Sequence, residues 1–234
     1  MATSLDLQEQ EQIDALKAFW KQYGNLITWV LILALGGFAA WNGWNWWQRD
    51  QAAKAGAMFD ELDRAAAAGD AVKAARVFDD LKTRYPRTAV AEQGGLLAAK
   101  VQVDHGQDDA ARATLAWVAA NAVEDEYRTL ARLRLAGLLL QAKLFDQALV
   151  ELGPAQAGPF EALVADRRGD VLMAQGKRDE ARAAYESAFA AMDDKLDYRR
   201  LIEAKLVALG GNPNAAAAAG SGKAATPAAS GASQ

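Results

Sequence analysis

The sequence predicts an all-α protein: a single N-terminal transmembrane helix followed by a solenoid of helical hairpins. Three observations carry that prediction. A tryptophan-edged block, NLITWVLILALGGFAAWNGWNWWQRD, opens at Asn25 and holds no charge before Arg49. From about Arg49 to Gly210 the chain is rich in Ala, Leu and Arg, with breaks at Gly69, Gly106, Gly153-Pro154, Gly158-Pro159 and Gly176 and no period-2 strand pattern. Within that region a turn followed by an Ala-centred helix recurs.

The first 24 residues form an amphipathic segment. Ile13, Leu16, Phe19, Trp20 and Tyr23 fall at three- and four-residue spacing, which is one face of a helix. Lys17 and Lys21 flank that face, so it suits either the membrane interface or a plain helical extension of the anchor.

Residues 25–48 read as a permanent membrane anchor. Leu26 to Trp47 is a run of 22 positions in which only Thr28, Asn42 and Asn45 are clearly polar. An α-helix crosses the hydrocarbon core in about 20 residues. Trp20, Tyr23 and Trp29 stand at one edge, and Trp41, Trp44, Trp46 and Trp47 at the other, where amphipathic rings favour the headgroup layer. A cleavable signal fits poorly, because Asp6, Glu9, Glu11 and Asp14 outnumber the two lysines before the run and no A-x-A site closes it. A buried core helix is the competing reading. The lysines before the span and Arg49, Lys54 and Arg64 after it leave the orientation open. Inside the span, Gly36/Ala40 and Ala39/Gly43 make a small-residue stripe along which a second helix can approach closely in lipid.

Residues 49–210 form the repeat region. GDAVKAARVFDDLKTRYP, GQDDAARATLAWVAANA and GKRDEARAAYESAFA share the turn-then-helix pattern, and KLFDQALVELGPA fits it with Lys143 where the others have glycine. Ala74, Ala111, Ala148 and Ala181 then correspond, and four residues later come Phe78, Leu115, Leu152 and Tyr185. The last unit is the cleanest, with Gly169, Leu172, Gly176, Ala181, Tyr185 and Ala188. These positions resemble the tetratricopeptide repeat, a helix–turn–helix of about 34 residues with a small residue where its helices touch. The resemblance covers about residues 52–193. It implies units stacked into a curved solenoid, with DYRRLIEAKLVALG as a closing helix. A generic bundle of helical hairpins is the alternative.

The resemblance also implies a concave wall, built from the first helix of each unit, that binds peptides or helices. Carrying the repeat frame over places Phe59 and Asp63 on it from the first unit, and Leu96, Lys100 and Val103 from the second. Leu133, Gly137 and Leu140 follow from the third, then Asp166, Asp170 and Met173 from the fourth. Such a wall is apolar and partly acidic. It lacks the Lys/Asn/Arg clamp with which tetratricopeptide co-chaperones hold carboxylate tails, so extended or partly folded apolar segments suit it better.

Nothing in the chain points to catalysis or to a cofactor. Cysteine is absent and His105 is the one histidine, so the usual metal sites and nucleophilic triads cannot be assembled. His105 and the acidic pairs Asp79-Asp80, Asp108-Asp109 and Asp193-Asp194 read as residues of turns and helix ends. The net charge of −4 offers no basic footprint for nucleic acid. Residues 211–234, GNPNAAAAAGSGKAATPAASGASQ, hold no aromatic and read as a flexible tail.

Taken with the span and the repeats, EQIDALKAFWKQYGN is similar to the corresponding segment of the YfgM family, ancillary subunits of the bacterial SecYEG translocon. That resemblance implies a cytoplasmic N-terminus, one helix through the inner membrane and a periplasmic repeat domain. The implied partners are the SecYEG translocon, a membrane-anchored periplasmic chaperone of the prolyl-isomerase type, unfolded exported proteins and the lipid bilayer. The implied role is non-enzymatic help in handing newly exported chains to periplasmic chaperones. A scaffold for another envelope assembly, or a regulator that binds a response regulator through its cytoplasmic segment, are the alternative roles.

Overall fold

Helix α1 runs without a break from Leu7 to Ala67 in the computed structural model, which describes residues 7–153 and 158–214. The predicted tail therefore lies, beyond residue 214, outside the described residues. The chain divides into two compact units, Met1–Ala53 and Lys54–Gln234.

In the first unit, α1 is long and apolar enough to cross a membrane. Leu33 is 71% exposed, and Phe38 and Trp41 are each 67% exposed, so this stretch is no core helix of the described protein. Thr28 and Asn42 return their side chains to the carbonyls of Gly24 (2.7 Å) and Phe38 (3.2 Å). Each thus satisfies its polar group within the helix itself, as apolar surroundings demand.

Every regular element of the second unit is a helix among the described residues. After the last turns of α1 come α2 (Ala71–Arg84), α3 (Ala89–Asp104), α4 (Asp108–Asn121) and α5 (Asp125–Gln141). Then follow α6 (Phe145–Leu152), α7 (Glu161–Ala174), α8 (Arg178–Ala191) and α9 (Tyr198–Ala208). The pairs α1/α2, α3/α4, α5/α6 and α7/α8 are the four predicted hairpins.

Each hairpin closes through the same turn. Gly69, Gly106, Lys143 and Gly176 have φ of 70°, 68°, 60° and 78°, the left-handed region that ends a helix. The following N–H then bonds a carbonyl five residues back: Asp70 to Ala65 at 2.9 Å, Gln107 to Gln102 at 2.8 Å, Leu144 to Leu139 at 2.9 Å and Lys177 to Leu172 at 3.0 Å. Lys143 adopts this backbone in spite of its Cβ. Caps sharpen the other boundaries. Asp70 accepts the Lys73 N–H at 2.9 Å, and Thr88 accepts that of Ala91 at 3.2 Å, two residues after Pro86.

Packing follows the repeat frame. Ala74, Ala111, Ala148 and Ala181 are at most 1% exposed, and Phe78, Leu115, Leu152 and Tyr185 at most 4%. At Gly95 a Cβ would collide with Val118 and Phe78, and at Gly169 with the Tyr185 ring, so the bare backbone is what lets these helices close. Trp117 meets Phe78 edge-on at 5.5 Å and packs against three neighbouring clusters, tying the first two hairpins together.

The residues expected at turns and helix ends divide. Asp79 and Asp80 lie inside α2, not at its end, and pair with Lys82 (2.6 Å) and Arg84 (3.6 Å). His105 does sit at the C-cap of α3, where its Nδ1 donates to the Val101 carbonyl at 2.8 Å.

Candidate protein-binding groove

The first helices of successive units, α3, α5 and α7, pack side by side. A cavity of about 480 Å³ opens between α3 and α5 and extends to Arg167 of α7. Its floor is apolar, from Ala99, Leu115 and Leu138 of the core, with Val103 and Leu133 on its walls. Around these stand Lys100, Asp104, Arg134, Gln141 and Arg167, with Gly137 between the two arginines.

The residues assigned to the wall are distributed unevenly. Lys100 and Leu133 line the cavity, as do Val103 and Gly137. Leu96, only 6% exposed, belongs to the core beneath it. Phe59 is half-buried against the cluster of the first hairpin, and Leu140 against the large cluster that runs from α3 to α7. Met173 is 38% exposed. Asp170 faces a different set of partners.

That set fastens the closing helix. Lys205 of α9 donates to Asp166 Oδ1 and Oδ2 at 2.8 and 2.9 Å and to Asp170 Oδ1 at 2.7 Å. Tyr198 donates to Asp166 at 2.7 Å, and Tyr185 to Asp170 at 2.9 Å. Burial, reinforced by the hydrogen bond to Asp166, pushes the Tyr198 hydroxyl up to about 12. Burial and the Asp170 charge push Tyr185 up as well. Lys205 thus offsets one of the two negative charges of Asp166 and Asp170, and the fourth hairpin contributes less negative charge to the groove than its sequence suggests.

The cavity itself is lined by three cations and one carboxylate, so its centre is basic where a partly acidic wall was expected. Arg134 and Arg167 make the difference, and both escaped the repeat frame, which follows a single stripe of each helix. A signal was present: the two arginines stand 33 residues apart, the same spacing as the turn residues Lys143 and Gly176. Another buried acid, Glu92 of α3, accepts the Val123 N–H at 2.7 Å and leaves its second oxygen without a partner. Burial raises its carboxyl above the ordinary range, against the lowering effect of that hydrogen bond.

On α1, Gly36, Ala39, Ala40 and Gly43 are exposed. A Cβ built on Gly36 or Gly43 meets nothing within 4 Å, so the stripe stands open.

Comparison with known proteins agrees with this architecture. The tetratricopeptide repeat-like domain family matches residues 17–211. A Neisseria gonorrhoeae protein named ancillary SecYEG translocon subunit is 31% identical over 204 residues, 87% of this chain and 98% of that one. An Escherichia coli protein of the same name is 30% identical over 76% of this chain and 86% of its own. One from Haemophilus influenzae is 28% identical over 78% and 89%. No solved structure matches the chain significantly. With its apolar N-terminal helix, its four hairpins and these relatives along most of its length, the chain belongs to the family of ancillary SecYEG translocon subunits, built on a tetratricopeptide repeat-like domain.

Proposed function

We propose that this protein is a non-enzymatic accessory subunit of the SecYEG translocon, anchored in the inner membrane by residues 25–48. Its N-terminus is cytoplasmic and its repeat domain periplasmic. The groove between α3, α5 and α7 takes extended segments of newly exported chains and passes them to a membrane-anchored chaperone of the prolyl-isomerase type.

The observation that carries this reading is the cavity beside Leu133 and Val103: an open, apolar-floored trough on a chain that also holds a membrane-length helix. Tethering supplies the mechanism. A groove confined beside the channel meets each emerging segment at high effective concentration, so weak contacts suffice. The small-residue stripe through Gly36, Ala39, Ala40 and Gly43 is the docking face for a translocon helix.

Photo-crosslinking during export tests the groove. A photoreactive residue in place of Leu133 or Val103 is expected to label exported chains arrested in transit. The same residue in place of Val150, 70% exposed beside a different cavity between α4, α5 and α6, is expected to label none. Equal labelling from both positions would remove the groove from the mechanism.

A further inference from the structure

The groove holds more positive charge than its own residues use. Lys100 is paired with Asp104 at 2.6 Å. Arg134, in contrast, makes one long bond, from Nη1 to the Leu96 carbonyl at 3.4 Å, and has no carboxylate partner among the described residues. Arg167 reaches Asp170 Oδ2 only at 3.9 Å, and the other oxygen of Asp170 already accepts from Lys205 and Tyr185. Two guanidinium groups, each with five N–H donors, thus face one cavity with most of their donors free of protein acceptors.

Gly137 sets how they are placed. It lies one turn after Arg134 on α5, and a Cβ there would stand 3.7 Å from Arg167 Nη1 and 3.8 Å from its Cζ. The Arg167 guanidinium therefore rests against the α5 backbone, on the helix face that carries Arg134. Beside both lie the apolar floor of Leu115 and Leu138 and the wall residue Leu133. The chain as a whole has a net charge of −4, so this pocket runs against the overall field and no general attraction for acidic ligands is expected.

Resting on the reading of the groove as the client site, we propose that Arg134 and Arg167 form a carboxylate-reading subsite. It selects extended segments that carry an Asp or Glu side chain next to an apolar residue. The carboxylate takes charge-assisted hydrogen bonds from the arginine pair while its apolar neighbour lies over Leu133 and Val103. The occupant is an internal segment of an unfolded chain. A free C-terminus is not required.

Calorimetric titration of the full chain in detergent micelles tests this with end-capped, unstructured peptides of leucine, serine and aspartate. A matched set carries asparagine for each aspartate. The aspartate peptide should bind about tenfold more tightly, the worth of one charge-assisted bond. That advantage should vanish in the double variant R134Q/R167Q, persist in part in R134K/R167K, and shrink with added salt. Equal binding of the two peptides to the native protein would overturn the subsite, as would an aspartate preference that survives R134Q/R167Q. Aspartate peptides that bind only with an uncapped C-terminus would also overturn it. The variant V103Q/L133Q separates the two claims. If it weakens both peptides while the native protein shows no aspartate preference, the subsite fails and the groove stands. If it leaves both unchanged, the groove reading fails and the subsite with it.

Discussion

Lys143 occupies a position that glycine fills in the other three hairpins, at φ 60°. A side chain there carries a left-handed backbone penalty of about 1–2 kcal/mol. Lys143→Gly removes that strain at the cost of a more flexible unfolded chain, so a net gain of about 1 kcal/mol is expected in urea denaturation of the full protein. Gly176→Ala is the converse. Its Cβ meets nothing within 4 Å, so backbone strain alone should cost about 1 kcal/mol. Glu92 gives a prediction in pH. Its carboxyl is raised above the ordinary 4.5, so the fold favours the protonated form. The associated stability is complete below that value and is lost as pH rises through the folded value. The stability of Glu92→Gln relative to the native protein should therefore grow from about pH 4.5 upward and then level off, as read by denaturation across that range. A difference independent of pH would contradict the buried, under-partnered carboxylate. The turn positions were legible because one backbone demand recurs at fixed spacing. The burial of Glu92 was not, because a single glutamate in a helix carries no sign of what its neighbours cover.

At the scale of elements, the sequence pattern reaches the hairpins and stops short of what joins them. The small residues Ala74, Ala111, Ala148 and Ala181 specify where helices touch, and each is buried in the structure. Arg134 and Arg167 lie one residue outside the stripe that the frame follows, so the basic centre of the groove emerged only with α3, α5 and α7 in place. The fastening of α9 was equally hidden, since Lys205 and Asp166 are 39 residues apart. Ile202 and Leu206 of α9 are fully buried, and Arg199 lies 3.9 Å over the Phe189 ring while donating to the carbonyls of Phe189 and Met192. Lys205→Met leaves Asp166, 2% exposed, without its counter-charge, and a loss of about 3 kcal/mol is expected. Adding Asp166→Asn should recover part of it, a coupling that thermal melts of the single and double variants will read. Alkali should act on the same junction. Burial pushes the Tyr198 hydroxyl up from an ordinary 10.0 to about 12, so its contribution is present below pH 10 and is lost as pH rises toward 12. Tyr198→Phe should shrink that step in a circular-dichroism titration, and the remainder belongs to Tyr185, which is raised at the same junction.

At the scale of the molecule, the chain joins an apolar helix of membrane-crossing length to a repeat domain with an open trough between its first helices. The apolar helix was legible in the sequence from length and charge alone, because a bilayer imposes both. Its partner was not, because a stripe of small residues states how closely a helix can approach and not which helix does so. We propose that the protein attaches to the translocon through that span. Capture of the full-length protein from native membranes in mild detergent, beside a version whose residues 25–48 are replaced by an unrelated span, decides the matter. Translocon subunits and a membrane-anchored chaperone should accompany the native protein and fall away from the substitute. Recovery of one and the same other envelope complex by both versions would rule out attachment through the span, and would assign the choice of partner to the repeat domain.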